Sequence, residues 1–179
     1  MGLTRIVTDS GAELPLQVVE DLDIAVVPWH IRLDTETVTD CPSLWSTAFY
    51  RKMVRRRVLP VPLAPTWQEF AATYARLARQ TEDIVTIHIG SSFGKVSVAA
   101  SRARFGVLGK CRIQLVDSQF ASRAMGNLVI VAARAAQEGA SGTEIVRLVH
   151  GLIPSEFHKH SFQTLDYIER CGLINHARE

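Results

Sequence analysis

Three short segments of this sequence combine hydroxyl, carboxylate and glycine residues directly after an apolar run. They are Thr8-Asp9-Ser10, Gly90-Ser91-Ser92 and Asp117-Ser118. Hydroxyls and backbone N–H groups in such turns could hold a singly charged anion, such as a carboxylate, in a partly dry site. Capping is the simpler explanation, because Asp and Ser are favoured wherever a strand turns into a helix.

Three histidines could also take part in chemistry. His88 lies in the apolar run that leads into Gly90, where it could assist an anion or be a buried histidine bonded to the backbone. His158 and His160 could place two imidazoles on one face of a strand, but the sequence places no further ligand near them. We therefore predict no metal site.

Ser91 and Ser92 are the candidates for a catalytic nucleophile. Such a serine needs a base and an orienting acid, and this turn lacks the G-x-S-x-G pattern of hydrolases. The sequence also lacks the G-x-G-x-x-G and Walker motifs of nucleotide-binding proteins. We expect no cofactor and no enzymatic activity, and a small serine esterase is the alternative from the enzyme class.

The composition indicates a folded domain of ordinary size. Of 179 residues, 47% are hydrophobic and 21% are charged. The formal net charge of +2 is too small to indicate nucleic acid or an anionic membrane as a partner. The basic cluster of Arg51-Lys52 and Arg55–Arg57 is typical of the solvated C-terminal end of a helix.

The three cysteines, Cys41, Cys111 and Cys171, are odd in number and far apart, which indicates neither a disulfide framework nor a metal pair. The N-terminus leads almost directly into an apolar run without the architecture of a signal peptide. No apolar run approaches the roughly 20 residues of a membrane-spanning helix. We expect a cytoplasmic protein with no membrane insertion.

The order of elements follows from periodicity, prolines and capping residues. Strands are predicted at 3–8, 24–33, 83–89 and 112–117, with a turn and a return strand in 34–40. Helices are predicted at 15–22, 44–56 after a Ser43 cap, 67–79, 95–107, 121–138 and 142–152. Capping boxes are predicted for Thr66 with Glu69 and for Ser141 with Glu144. Pro28 indicates a strand end or an edge position, and three prolines predict that 58–66 is an extended loop.

Strands that alternate with helices predict an α/β fold, with three α/β/α layers and a mostly parallel sheet. The carboxyl ends of parallel strands lie along one rim, where ligands bind in open sheets of this kind. We therefore expect Thr8, Gly90 and Asp117 at the same edge of the sheet.

Four segments of the chain resemble the DegV family. They are RIVTDSGAELP, TIHIGSSFGKVSVAA, IQLVDSQFASRAMGNLVIVAARAAQEG and TLDYIERCGLI, which occur in order over nearly the whole chain. The resemblance implies the EDD fold and a cytoplasmic, non-enzymatic protein that binds a long-chain fatty acid. It also implies that a fatty-acid kinase subunit could be a partner, because some members present the acyl carboxylate for phosphorylation.

The resemblance implies a carboxylate site at the serine-rich turn equivalent to Gly90–Ser92, helped by a Thr-Ser pair in the proline-rich loop. The ligand-binding residues expected here are Thr8, Asp9, Ser10, His88, Gly90, Ser91, Ser92, Asp117 and Ser118. This chain departs from the family pattern at Pro62-Leu63, where the Thr-Ser pair usually stands, and at Phe93–Val96 and Gly172-Leu173. A degenerate family member that serves as a protein-interaction module without lipid is therefore a second hypothesis.

The resemblance divides the chain into a lipid-binding domain at 1–154 and, at 155–179, the start or a remnant of a second domain. Without that second domain, apolar side chains near the end would be exposed. These are Phe157, Phe162, Leu165 and Ile168. We therefore expect a homo-oligomer in which this segment takes part.

Overall fold

Four parallel strands form the main sheet of the computed structural model, which describes residues 2–41, 44, 47–56, 59–157 and 159. The seven strands of the described residues are β1 (Arg5–Asp9), β2 (Ala25–Val27), β3 (His30–Leu33), β4 (Glu36–Thr39), β5 (Val61–Leu63), β6 (Asp83–His88) and β7 (Arg112–Asp117). The helices are α1 (Leu16–Asp21), α2 (Thr47–Arg56), α3 (Trp67–Leu77), α4 (Val96–Ala103), α5 (Ser122–Gln137) and α6 (Gly142–Leu152). None of these helices combines the length and the apolar character that crossing a membrane requires.

The main sheet has the order β2-β1-β6-β7, and all of its pairs are parallel. Its two central strands, β1 and β6, are almost wholly buried. Such strands read as near-continuous apolar runs because helices cover both faces of a parallel sheet. The predicted α/β class and the mostly parallel sheet are confirmed.

Helices lie on both faces of this sheet, which gives the three layers. On one face, Ile6, Val85 and Ile87 pack with α5 and α6 in a single buried cluster. On the other face, Val7 and Ile84 pack with residues of α3 and α4. Successive residues along β1, and likewise along β6, therefore pack into cores on opposite faces of the sheet, as the alternation of side chains along a strand requires.

A second, antiparallel sheet has the order β4-β3-β5 and packs Ile31 and Leu33 against Phe49 of α2. This corrects two predictions. The single extended segment at 24–33 is two strands in different sheets, which separate at Pro28 because proline has no N–H to donate to a ladder. The proline-rich loop at 58–66 contains β5, whose Pro62 lies opposite Ile31.

The helix ends agree with the sequence in most places. Both capping boxes are present, and the predicted turn and return strand form the β3–β4 hairpin. The helix predicted at 95–107 is shorter, since α4 ends at Ala103 and a 3-10 helix covers Arg104–Val107. The predicted Ser43 cap lies outside the described residues.

Candidate functional site

Three neighbouring strands bring the predicted site residues to one rim of the main sheet. Thr8 of β1 lies opposite Ile87 of β6, and His88 of β6 lies opposite Asp117 of β7. The chain reaches Gly90 only two residues after β6 ends. The prediction that Thr8, Gly90 and Asp117 lie at the same edge is therefore confirmed.

Asp9 is the centre of this rim, and its side chain is fully buried. Oδ1 accepts hydrogen bonds from the N–H of Gly11 at 3.0 Å and from the indole N–H of Trp29 at 2.9 Å. Oδ2 accepts from Nδ1 of His88 at 3.0 Å and from the N–H of Ile89 at 3.1 Å. Four donors from three parts of the chain thus converge on one carboxylate.

These donors also set the protonation of Asp9. Burial alone would raise the pKa of this carboxyl, because a charge is poorly solvated in the interior. The hydrogen bond and electrostatic attraction of His88, with the N–H groups of Trp29 and Ile89, outweigh burial and hold the pKa below its ordinary value of 3.8. Asp9 is therefore an anion that the protein has already neutralised with its own donors.

The network continues inward from His88 through two further buried side chains. Nε2 of His88 lies 2.5 Å from the hydroxyl of Thr86, and the hydroxyl of Tyr74 donates to Thr86 Oγ1 at 3.2 Å. Burial raises the pKa of Tyr74. Every described buried side-chain N or O atom in the structure has a hydrogen-bond partner. His88 is thus buried as expected, but its ring bonds to the side chains of Asp9 and Thr86 rather than to the backbone.

Ser10 connects this rim to the second sheet. Its hydroxyl donates to Oδ2 of Asp40 at 2.6 Å and accepts from the backbone N–H of Trp29 at 3.0 Å. The N–H of Asp40 in turn donates to the carbonyl of Trp29 at 2.8 Å. Ser10 and Asp40 therefore hold the segment between β2 and β3 against the end of β1.

The carboxylate of Asp117 holds the turn at Gly90–Ser92. The Asp117 carboxylate accepts the N–H of Ser91 at 3.2 and 3.3 Å and that of Gln119 at 3.0 Å. Gly90 must be glycine, because a Cβ there would lie 2.7 Å from the carbonyl carbon of Gln119. The backbone of this turn is thus fixed by contacts with the loop after β7.

The helix that follows this turn begins close to its predicted start. It was predicted from Lys95 and α4 begins at Val96, so three residues separate Ser92 from the helix. The N–H of Phe93 donates to the carbonyl of Gly90, which closes a β-turn. The hydroxyls of Ser91 and Ser92 are exposed and have no hydrogen-bond partner within the described part of the chain.

Two other predicted site residues bond within the protein. Ser118 is buried, its hydroxyl donates to the carbonyl of Phe120 at 3.0 Å, and it accepts the N–H of Phe120 at 3.1 Å. Thr8 is also buried, and its hydroxyl donates to the carbonyl of Asp9 at 3.5 Å, its one hydrogen bond to a described residue. Both hydroxyls therefore support the backbone of the rim.

A cavity of about 660 Å³ opens beside the end of β1. Its lining is mostly apolar and includes Ala12, Leu14, Val19, Val26 and Pro28, with Asp9, Ser10, Asp40 and Cys41 among its polar residues. The residues of the turn at Gly90–Ser92 are not among its lining residues. The Cδ1 atom of Ile89 lies 3.5 Å from where a Cβ on Gly11 would stand, so the residue before Gly90 packs against a residue of the lining.

Sequence reasoning missed Trp29, Tyr74 and Thr86 as members of this network. Thr86 and His88 stand two residues apart in a strand that is otherwise apolar, so they share one buried face. Because buried polar groups are hydrogen-bonded, that spacing could have predicted a polar network inside the core. No comparable pattern marks Trp29.

Comparison with known proteins shows that nearly the whole chain is similar to proteins of one family. The family model for DegV proteins matches residues 4–179. A DegV domain-containing protein of Caldanaerobacter subterraneus subsp. tengcongensis is 32% identical over 173 residues, which are 97% of this chain and 61% of that protein. The chain thus spans about three-fifths of the length of this relative.

Solved structures show the same fold. A DegV family protein from Thermus thermophilus, described for its fatty acid binding, is 26% identical with a TM-score of 0.85, over 95% of this chain and 60% of that one. DegV of Bacillus subtilis, described as a fatty acid binding protein, has a TM-score of 0.80 over 86% of this chain and 55% of that one. At 23% identity, the second likeness bears on the fold alone.

Proposed function

Because the chain belongs to the DegV family, we propose that it binds a long-chain fatty acid or a related lipid and does not itself catalyse a reaction. The observation that carries this proposal is the apolar cavity at the carboxyl rim of the main sheet. The Thermus thermophilus relative, described for its fatty acid binding, supports the same class of ligand.

The cavity suits an acyl chain in volume and in lining. Its volume of about 660 Å³ lies within the range of roughly 300–1,000 Å³ that ligand pockets occupy. Each methylene removed from water stabilises the complex by about 0.8 kcal/mol, so affinity would come mainly from the tail. Leu14, Val19 and Val26 are the side chains that would contact it.

We assign the carboxylate to the hydroxyls of Ser91 and Ser92. These hydroxyls are exposed and have no partner among the described residues, and they follow closely on Ile89, which packs against Gly11 of the cavity lining. The N–H of Ser91 is already donated to Asp117, so hydroxyls rather than amides would be the main donors. The other predicted site residues of this rim would support the turns that follow β1 and β6. They are Thr8, Asp9, Ser10, His88, Asp117 and Ser118.

The structure bears differently on the two alternative functions, a serine esterase and a protein-interaction module. A serine esterase is disfavoured, because His88 is buried and bonded to Asp9 and Thr86, away from the hydroxyls of Ser91 and Ser92. A protein-interaction module without lipid is the second candidate. It is favoured by Pro62-Leu63, where the family usually has Thr-Ser, since Pro62 and Leu63 instead pair with β3.

The proposal also covers the partners of the protein and its cellular location. We infer a cytoplasmic carrier that presents its fatty acid to a kinase subunit, and a homo-oligomer built through the end of the chain. Phe157 is 86% exposed, which supports an interface there, while Phe162, Leu165 and Ile168 lie outside the described residues. Light scattering should give a mass above that of a monomer, and a strictly monomeric mass would contradict the oligomer.

Calorimetry with hexadecanoic acid tests the binding site. Ser91→Ala and Ser92→Ala should each weaken binding by about 10- to 150-fold, because a hydrogen bond to a charged group contributes about 1.5–3 kcal/mol. Ser118→Ala should do less, and Ser97→Ala, on the neighbouring α4, is the matched control. Measurable binding that neither turn variant changes would show that the anion lies elsewhere.

Native mass spectrometry of the purified protein, before and after organic extraction, separates the two candidate functions. A carrier should lose the mass of a fatty acid on extraction and regain it when hexadecanoic acid is added. An interaction module without lipid should show one unchanged mass in all three states.

A further inference from the structure

Trp29 packs against the loop that follows the serine turn, and its neighbours line the apolar cavity. Its ring atom Cη2 is 3.3 Å from where a Cβ on Gly94 would stand, so the indole packs directly against that loop. Pro28, the residue before it, lines the cavity, as do Asp9 and Ser10, the two residues to which Trp29 donates hydrogen bonds. A half-buried aromatic ring thus stands where the two parts of the proposed ligand site meet.

The ring is fixed through both its side chain and its backbone. The indole N–H donates to Oδ1 of Asp9 at 2.9 Å. The backbone N–H donates to Ser10, and the carbonyl accepts from Asp40. The indole has a single N–H donor, so the two backbone hydrogen bonds hold the residue in addition to that contact.

Asp9 is itself held rigidly, and this makes it a firm anchor. His88 and the N–H of Ile89 bind its other oxygen, and all of these groups belong to the two central strands or follow directly on them. The indole is therefore coupled, through one buried carboxylate, to the residue that precedes Gly90.

We propose that Trp29, fixed by Asp9, is a positioning residue that forms the wall of the fatty-acid site at the carboxylate end, between the serine turn and the cavity. This inference rests on the proposed fatty-acid function and adds a residue that the sequence analysis did not single out. With its N–H occupied by Asp9, the indole offers the ligand only its apolar surface. It separates the hydroxyls of the turn from the apolar cavity, so the first carbons of the acyl chain pass against the ring.

A spectroscopic experiment tests the position of Trp29. Trp45 and Trp67 are replaced by Phe, which leaves Trp29 as the only tryptophan, and the protein is titrated with two brominated hexadecanoic acids. One carries bromine on the carbon next to the carboxyl group, and the other carries it at the end of the tail. Bromine quenches indole fluorescence only at short range, so the first acid should quench Trp29 more strongly than the second.

Calorimetry on the same samples keeps two kinds of failure apart. If both acids give binding heat but quench equally, or not at all, Trp29 is not at the carboxylate end and the inference is wrong while the proposed function stands. Stronger quenching by the acid brominated at its tail would reverse the orientation and also overturn it. If neither acid binds, the proposed function fails and the inference with it.

A conservative variant tests whether the ring sets affinity. Trp29→Phe keeps an aromatic ring but removes the N–H that Asp9 fixes, and hexadecanoic acid should then bind about fivefold more weakly, equivalent to about 1 kcal/mol. The matched control is Trp67→Phe, since Trp67 lies at the start of α3 with Arg102 stacked 4.6 Å from its ring centre. Equal affinity of Trp29→Phe and the parent protein, both folded by circular dichroism, would overturn the positioning role.

Discussion

Asp9-Ser10 and Asp117-Ser118 are the same dipeptide at the ends of two strands of one sheet, yet their side chains have different surroundings. The Asp9 carboxylate is fully buried and accepts from His88, Trp29 and two backbone N–H groups. The Asp117 carboxylate is half-buried and, among the described residues, accepts only from the N–H groups of Ser91 and Gln119. The hydroxyl of Ser10 bonds to Asp40, which follows the second sheet, whereas the hydroxyl of Ser118 bonds to Phe120, two residues ahead.

The place of each strand in the sheet explains this difference. β1 lies between β2 and β6, so residues that follow both neighbours, such as Trp29 and Ile89, cover its end. Within the described part of the chain, β7 lies at an edge and has β6 as its one neighbour, so its end is covered from one side. The central pair therefore joins several segments of the fold, and the edge pair shapes a local turn.

The largest expected effect is a difference in stability between variants of the two aspartates. Asp9→Ala should lower the free energy of unfolding by about 3–5 kcal/mol, because it leaves His88 and three N–H donors without their buried acceptor. Asp117→Ala should cost only about 0.5–1.5 kcal/mol, since water can replace its bonds. Chemical denaturation measures both, and equal losses would break the comparison.

The free energy of unfolding should fall in acid, in part because Asp9 becomes protonated. Its pKa in the folded protein lies below the ordinary value of 3.8, so its stabilising contribution is present above that value and is lost as the pH falls through the lower, folded-state pKa. Denaturation curves measured from pH 6 downwards should therefore show falling stability in acid.

Asp9→Asn, which removes the titrating group, is the comparison for this pH series. Other carboxyls with lowered pKa values, such as Asp83 and Glu69, remain in the variant and should keep part of the acid slope. The variant should have a flatter slope than the parent protein. Identical slopes would mean that the charge on Asp9 contributes nothing.

The smallest expected effect distinguishes the two serines. Ser10→Ala and Ser118→Ala should each cost about 0.5–1.5 kcal/mol of stability, because each hydroxyl both donates and accepts one hydrogen bond. Ser10 lines the cavity and holds Trp29, so Ser10→Ala should also weaken binding of hexadecanoic acid. Ser118→Ala should weaken it less, and the reverse order in calorimetry would contradict a site centred on β1.

The fold was largely readable from local patterns. The strands at 83–88 and 112–117 and both capping boxes were predicted to within a residue or two, because periodicity and capping depend on neighbours in the sequence. The α/β class followed from the alternation of these elements. The division of 24–33 between two sheets was missed, since which strand pairs with which depends on distant residues.

The site could be predicted only in part from the sequence, for the same reason. Its rim was predicted from strand ends, but the partners of Asp9 lie 20 residues away at Trp29 and 79 residues away at His88. Nothing in the local sequence around Asp9 distinguishes it from Asp117, because the two stretches, VTDSG and LVDSQ, have the same pattern.

The sequence by itself determined most of the elements and their order, the family resemblance and the edge of the sheet where hydroxyls and carboxylates gather. The tertiary structure alone decided which carboxylate is buried in a network and which hydroxyls remain exposed. It also decided where an apolar cavity opens. Local propensity acts over a few residues along the chain, whereas burial and hydrogen bonding depend on the segments that the sheet order β2-β1-β6-β7 brings to each strand end.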